Sequence, residues 1–243
     1  MTEASPANAA PTVLLVHGAF AESSSWSGVV DRLLAKGYSV VAAANPLRGL
    51  AGDAASVAGL LASIDAPVVL VGHSYGGAVI TNAAANAGNV AALVYVCGFA
   101  PDAGESGFDL AARFPGSTLG PALAPPVALP DGGEDLYIQA DRFHAQFAAD
   151  VPDAEAARMR ATQRPITAAA LNDASGDPAW KRIPSWFVYG ELDRNIPAAL
   201  HAFMAERAGS KATVAIPGAS HVVMMSQPQA VTDVILSTVT AVS

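Results

Sequence analysis

Six short apolar runs punctuate the chain: 12–16, 39–44, 67–71, 90–97, 186–189 and 212–216. Most of the segments between them carry apolar residues at helical spacing. After the first run, Trp26, Val29, Val30, Leu33 and Leu34 share one face, with hydroxyls at Ser23, Ser24 and Ser25 to cap the start and Gly37 to stop it. After the second, Val57, Leu60, Leu61 and Ile64 do the same within 53–64. Further helices are expected at 78–87, 198–208 and 228–239. Strands apolar on both faces, alternating with helices, predict an α/β fold with a six-stranded, mostly parallel sheet covered by helices on both faces. Residues 1–10 read as a loose tail, leaving too few residues before Thr12 for an extra hairpin.

The alternation breaks between about 103 and 178. Gly, Pro and Ala dominate 115–130, an acidic turn follows at 131–135, and helical patterns occupy 142–147, 153–161 and 168–171. The insertion is rich in Phe and Leu, which suggests a helical cap over the sheet's C-terminal edge. The expected organisation is one domain, 1–243, with its core in 11–102 and 179–243 and the cap at about 103–178. A helical packing layer without a gating role fits the same pattern.

The chemistry concentrates in Val69-Leu70-Val71-Gly72-His73-Ser74-Tyr75-Gly76-Gly77. A strand running into Gly-x-Ser-x-Gly and then an Ala-rich helix is a nucleophile elbow, in which the serine is lifted above the sheet at a helix N-terminus. A serine hydroxyl is a weak nucleophile, so it needs a base, and the base needs an acceptor to fix its tautomer. Loops after parallel strands converge on one edge, and Asp193 and His221 each follow an apolar run, in the chain order Ser, Asp, His. Asp193 is favoured as the acid over Asp102, whose Pro-Asp-Ala-Gly turn accounts for it as a loop cap, and over Glu191. His17 reads as a structural hydrogen bonder, His73 as lying beneath the elbow, and His144 and His201 as solvated or packed helix residues. Asp31, Asp53 and Asp65 read as solvated or capping. The oxyanion donors expected are the amides of Tyr75 and Ala19, Gly18 allowing the turn that aims the latter. Phe20, Phe99 and Met224 are expected to line the substrate site, with Tyr75 and Met225 beside it.

Composition narrows the partners. The net charge is -8 with no cluster of Lys or Arg, which argues against nucleic acid or an anionic membrane surface. The single cysteine, Cys97, rules out an intramolecular disulfide and reads as packing. No carboxylates stand with His or Cys at ligand spacing, so neither a metal nor another cofactor is expected. The opening residues show no secretory or membrane-spanning pattern, and a cytoplasmic enzyme is the expectation.

Taken together, His17-Gly18-Ala19, Gly72 to Gly77, Asp193-Arg194-Asn195-Ile196-Pro197 and Gly218-Ala219-Ser220-His221, followed by Ser226-Gln227-Pro228, resemble the α/β-hydrolase superfamily. Within it they look like the lineage of small esterases, plant methylesterases and hydroxynitrile lyases. The resemblance implies Ser74, Asp193 and His221 as a catalytic triad, with Ala19 and Tyr75 as oxyanion amides. Lyases of that lineage carry a threonine where this chain has Gly18 and a lysine where it has Val222, which disfavours cyanohydrin cleavage. The expected activity is therefore that of a serine hydrolase acting on small to medium carboxylic esters through an acyl-enzyme. Lactonase, perhydrolase, thioesterase and amidase activities stay open, as does a receptor that binds a small ligand without turnover. The sequence leaves the oligomeric state open.

Overall fold

The computed structural model describes residues 10–130 and 132–243. The expected tail at 1–9 and Asp131 of the acidic turn lie outside the described residues.

The first half of the chain builds β1 (Thr12–Val16), α1 (Ser27–Ala35), β2 (Val40–Ala43), α2 (Leu50–Ala62), β3 (Val68–His73), α3 (Tyr75–Ala83) and β4 (Val90–Val96). An insertion follows: α4 (Gly107–Arg113), α5 (Leu119–Ala122), β5 (Val127–Ala128), β6 (Glu134–Leu136), α6 (Phe143–Phe147), α7 (Asp153–Thr162), β7 (Ile166–Thr167) and α8 (Ala168–Asn172). The alternation then resumes with β8 (Ser185–Gly190), α9 (Ala198–Arg207), β9 (Thr213–Ile216), α10 (Val223–Ser226) and α11 (Pro228–Val242).

Six strands form one sheet in the order β2-β1-β3-β4-β8-β9, every pair parallel. β1 and β3 are buried along their whole length and β4 nearly so, whereas the edge strand β9 is largely exposed. That gradient is why the central runs are almost wholly apolar. The chain leaves β1 toward β2 and then returns across it to β3, so the connections run in opposite directions on either side of β1. Right-handed crossovers then put α1 and α2 on opposite faces, where α1 packs with α11 and α2 with α3. The same reversal opens a crevice beyond the C-terminal ends of β1 and β3, the usual place for a ligand in such a sheet.

The insertion differs from the helical cap that its composition predicts. Besides short helices it holds a three-stranded antiparallel sheet, β5-β6-β7. These strands are two or three residues long, too short for side-chain alternation to register in the sequence. Among the described residues, no helix is long and apolar enough to cross a membrane.

Candidate active site

β3 enters the crevice as a fully buried strand, and the chain reverses into α3 at Ser74, whose φ of 54° and ψ of -124° lie in a region side chains avoid. The glycines around it make the reversal possible by close approach. A β-carbon on Gly72 would stand 2.5 Å from the Gly76 carbonyl oxygen, and one on Gly76 would stand 2.5 Å from the Val16 carbonyl oxygen at the end of β1. The turn is therefore pressed against the neighbouring strand as well as folded on itself. Tyr75 opens α3, so its N–H is among those that the helix leaves without an internal acceptor. Its phenol donates to Asp53 Oδ2 at 2.8 Å, while Asp53 Oδ1 accepts the Arg48 amide at 3.1 Å. Asp53 is thus a buried anchor for the elbow rather than the solvated or purely capping residue expected.

The loop after β1 lies alongside. His17 is buried, donates from Nδ1 to the Gly18 carbonyl at 2.9 Å, and accepts the Asn45 amide at Nε2 at 3.0 Å. Burial pushes its imidazole down to about 4, so it stays neutral and holds the turn. The Phe20 amide is committed to the Arg164 carbonyl in the insertion at 3.0 Å. The Ala19 amide stands between these anchors, and Ala19 borders the same cavity as Ser74.

Asp193 and His221 come together at the ends of β8 and β9. His221 Nδ1 donates to Asp193 Oδ2 at 2.6 Å, and Asp193 Oδ1 accepts the amides of Asn195 at 2.8 Å and Ile196 at 2.9 Å. A β-carbon on Gly190 would run into the carbonyl oxygens of Ala219 and Ser220, so the glycine lets the two loops touch. Burial alone would raise the Asp193 carboxyl, but the His221 imidazole and the hydrogen bonds from His201 and His221 hold it well below the usual range. It is a carboxylate at neutral pH. His221 Nε2 is buried without a hydrogen-bond partner among the described residues.

Two histidines have roles the sequence did not reveal. His73 donates from Nε2 to the His221 carbonyl at 3.1 Å, and its ring lies 4.8 Å from that of His221. Burial, with the His221 ring nearby, holds His73 far below its ordinary range, so it supports the loop as a neutral donor. His201, expected to be merely solvated or packed, instead donates from Nε2 to Asp193 Oδ2 at 3.1 Å. Its position in the first turn of α9 was the available signal. Side chains tilt toward a helix N-terminus, here toward the Asp193 loop.

Ser74, His221, Ala19 and Tyr75 all border one cavity of about 420 Å³. Phe20 and Phe99 line it, together with Phe108, Leu119, Leu123 and Phe147 from the insertion. Met224 does not. It sits fully buried in α10, a short helix that turns its side chain into the core, and Met225 borders a separate small cleft. The other carboxylates stand elsewhere: Asp102 pairs with Lys181 at 2.5 Å, and Glu191 is exposed. His144 donates to the Val151 carbonyl at 2.9 Å within the insertion. Cys97, Asp193 and His201 have ligand atoms within 4.8 Å of one another, yet both Asp193 oxygens are already engaged by four hydrogen-bond donors. That arrangement is accounted for by hydrogen bonding alone.

The fold is shared widely. Polyneuridine aldehyde esterase matches with a TM-score of 0.81 at 18% identity, over 94% of this chain and 99% of that one. A pyrethroid hydrolase from Sphingobium faniae JZ-2 matches with a TM-score of 0.74 at 20% identity, over 95% and 98%. A methylesterase from Arabidopsis matches with a TM-score of 0.77 at 17% identity, over 95% and 99%. None of the curated proteins matches the sequence. The model of the alpha/beta hydrolase family matches residues 13–234, from the first strand into the last helix, and the chain belongs to that family.

Proposed function

We propose that this hydrolase cleaves carboxylic esters of small to medium size with apolar substituents, through an acyl-enzyme on Ser74. The observation that carries the reading is the pairing of His221 Nδ1 with a buried, ionised Asp193, which leaves Nε2 unpartnered in a residue that borders the same cavity as Ser74. A neutral imidazole protonated at Nδ1 has its lone pair at Nε2, which is what a general base requires.

His221 takes the Ser74 proton as Oγ attacks the ester carbonyl, and Asp193 stabilises the resulting imidazolium. The amides of Ala19 and Tyr75 hold the tetrahedral oxyanion, and losing one such donor would cost about 3 kcal/mol of transition-state stabilisation. His221 then returns the proton to the departing alcohol. Water, deprotonated by the same imidazole, attacks the acyl carbon and regenerates the Ser74 hydroxyl as the acid leaves.

The cavity lining favours neutral, apolar substrates, since among the described residues no Lys, Arg, Asp or Glu borders it. An esterase and a methylesterase among the similar folds agree with this reading. Cyanohydrin cleavage fits poorly. Val222 is fully buried, and a β-carbon at position 18 would stand 2.6 Å from Ser74 Cβ, so the lyases' threonine does not fit this backbone.

The test is turnover of a graded panel of p-nitrophenyl esters by the wild type and Ser74→Ala. The wild type is expected to turn over repeatedly and the folded variant to retain under about one thousandth of that rate. Near-normal turnover in the variant would overturn the assignment. A single burst of alcohol from the wild type would point to a receptor.

A further inference from the structure

Asp193 Oδ2 accepts two imidazole donors, His221 Nδ1 at 2.6 Å and His201 Nε2 at 3.1 Å. We infer that His201 is a positioning residue for ester hydrolysis: by occupying the second acceptor site of Asp193 Oδ2 it limits the pull of the carboxylate on His221. The inference rests on the proposed roles of Asp193 and His221 as acid and base.

Several observations make His201 a fixed donor. Its side chain is 1% exposed, its ring stacks on Tyr189 with centroids 4.9 Å apart and planes inclined by 17°, and it comes from α9, a different element from those bearing Asp193 and His221. Burial keeps its imidazole below the ordinary range even though Asp193 pulls the other way, so it donates as a neutral ring. The other groups facing this cluster are His73 against the His221 ring, Cys97 beside Asp193 and His201, Tyr189 under His201, and Asp150, which accepts the Ser220 hydroxyl next to His221. Burial holds His73 neutral, keeps the Cys97 thiol protonated and, with Glu191, raises the Tyr189 phenol.

Two donors on one oxygen compete for its electron density. Without His201, Asp193 Oδ2 binds His221 alone, the imidazolium gains stability, and free base persists only at higher pH. His201→Phe keeps a ring against Tyr189 and removes the donor, whereas His201→Gln keeps an N–H at a similar reach.

The experiment measures kcat and KM from about pH 5 to pH 9.5 for the wild type and both variants, together with the low-field proton resonance of the His221–Asp193 hydrogen bond. For His201→Phe, kcat should fall about 5-fold or more at about pH 6.5, recover to within about 2-fold at about pH 9, and leave KM within about 2-fold. The low-field resonance should move further downfield, and His201→Gln should restore both readouts. An equal loss at every pH, an unmoved resonance, or a Gln variant that fails to restore them would overturn the inference. If the Phe variant does not fold, the Gln variant must still keep the wild-type profile. A wild type that hydrolyses no ester while the Phe variant's resonance moves would sink the esterase reading but uphold the effect of His201 on the hydrogen bond between Asp193 and His221.

Discussion

Gln146 and Asn195 hydrogen-bond reciprocally. The Gln146 side-chain amide donates to Asn195 Oδ1 at 3.2 Å and the Asn195 side-chain amide donates to the Gln146 carbonyl at 3.1 Å. The pair joins α6 of the insertion to the loop that carries Asp193. Gln146 also donates to the Arg194 carbonyl at 3.0 Å and accepts the Thr118 hydroxyl at 2.7 Å. Four residues on, Asp150 accepts the hydroxyl of Ser220 beside His221. One short stretch of the insertion thus holds both the Asp193 loop and the His221 loop.

Replacing Gln146 by Ala should therefore act on the Asp193 loop without touching the cavity, which Gln146 does not line. Stability should drop by about 1 to 3 kcal/mol, because buried partners lose their bonds. kcat should fall several-fold. Urea denaturation and ester turnover test this, and an unchanged denaturation midpoint would refute the brace.

Asp193→Asn should cripple turnover by about 10³-fold or more. The two amides at Oδ1 would hold the Asn oxygen in place, turning the NH₂ toward His221 and His201. His221 Nδ1 would then have to accept, which moves its proton to Nε2 and removes the base. Asp102→Asn breaks only an exposed pair with Lys181 and should change kcat/KM by less than about 2-fold. The reverse ranking would reassign the acid.

Acid should destabilise the fold well before its carboxylates titrate. Burial lowers the imidazoles of His17, His73 and His201 in the native state, so the unfolded chain binds their protons first. Their stabilising contribution is complete above the unfolded value of about 6.5 and is lost as pH falls. For His17, shifted to about 4, the loss amounts to about 3 kcal/mol once that pH is reached. The depressed Asp193 carboxyl adds to this only below its unfolded value of about 3.9. Unfolding free energies between about pH 7.5 and pH 4.5 should decline steadily, and a flat profile would contradict the buried neutral histidines.

The sheet was legible because its strands are uninterrupted apolar runs between amphipathic helices, and the loops after parallel strands must share an edge. Ser74 stands out by its Gly-x-Ser-x-Gly turn, and Asp193 and His221 are candidates because each lies in a loop after a strand; the structure pairs Asp193 with His221 and sets Ser74 and His221 on one cavity. Boundaries shifted where the local signal was weak. α2 begins at Leu50 rather than Asp53, and β3 continues to His73 because the strand holds its pairing up to the turn. Contacts that join distant segments left no local mark: Tyr75 with Asp53, His201 with Asp193, and Gln146 with Asn195. Met224 misled because closeness to His221 in sequence says nothing about direction, and a single turn of helix points it inward.

The uncharged wall of the cavity bears on the end of the catalytic cycle as well as its start. On the proposed reaction an ester enters neutral but its acid product ionises, and beyond His221 and the Ala19 and Tyr75 amides the described lining gives a carboxylate mainly Phe, Leu and Ala side chains in place of its hydration. The chamber that welcomes the reactant thus expels the anion made from it, and accumulating acid should inhibit the enzyme only feebly.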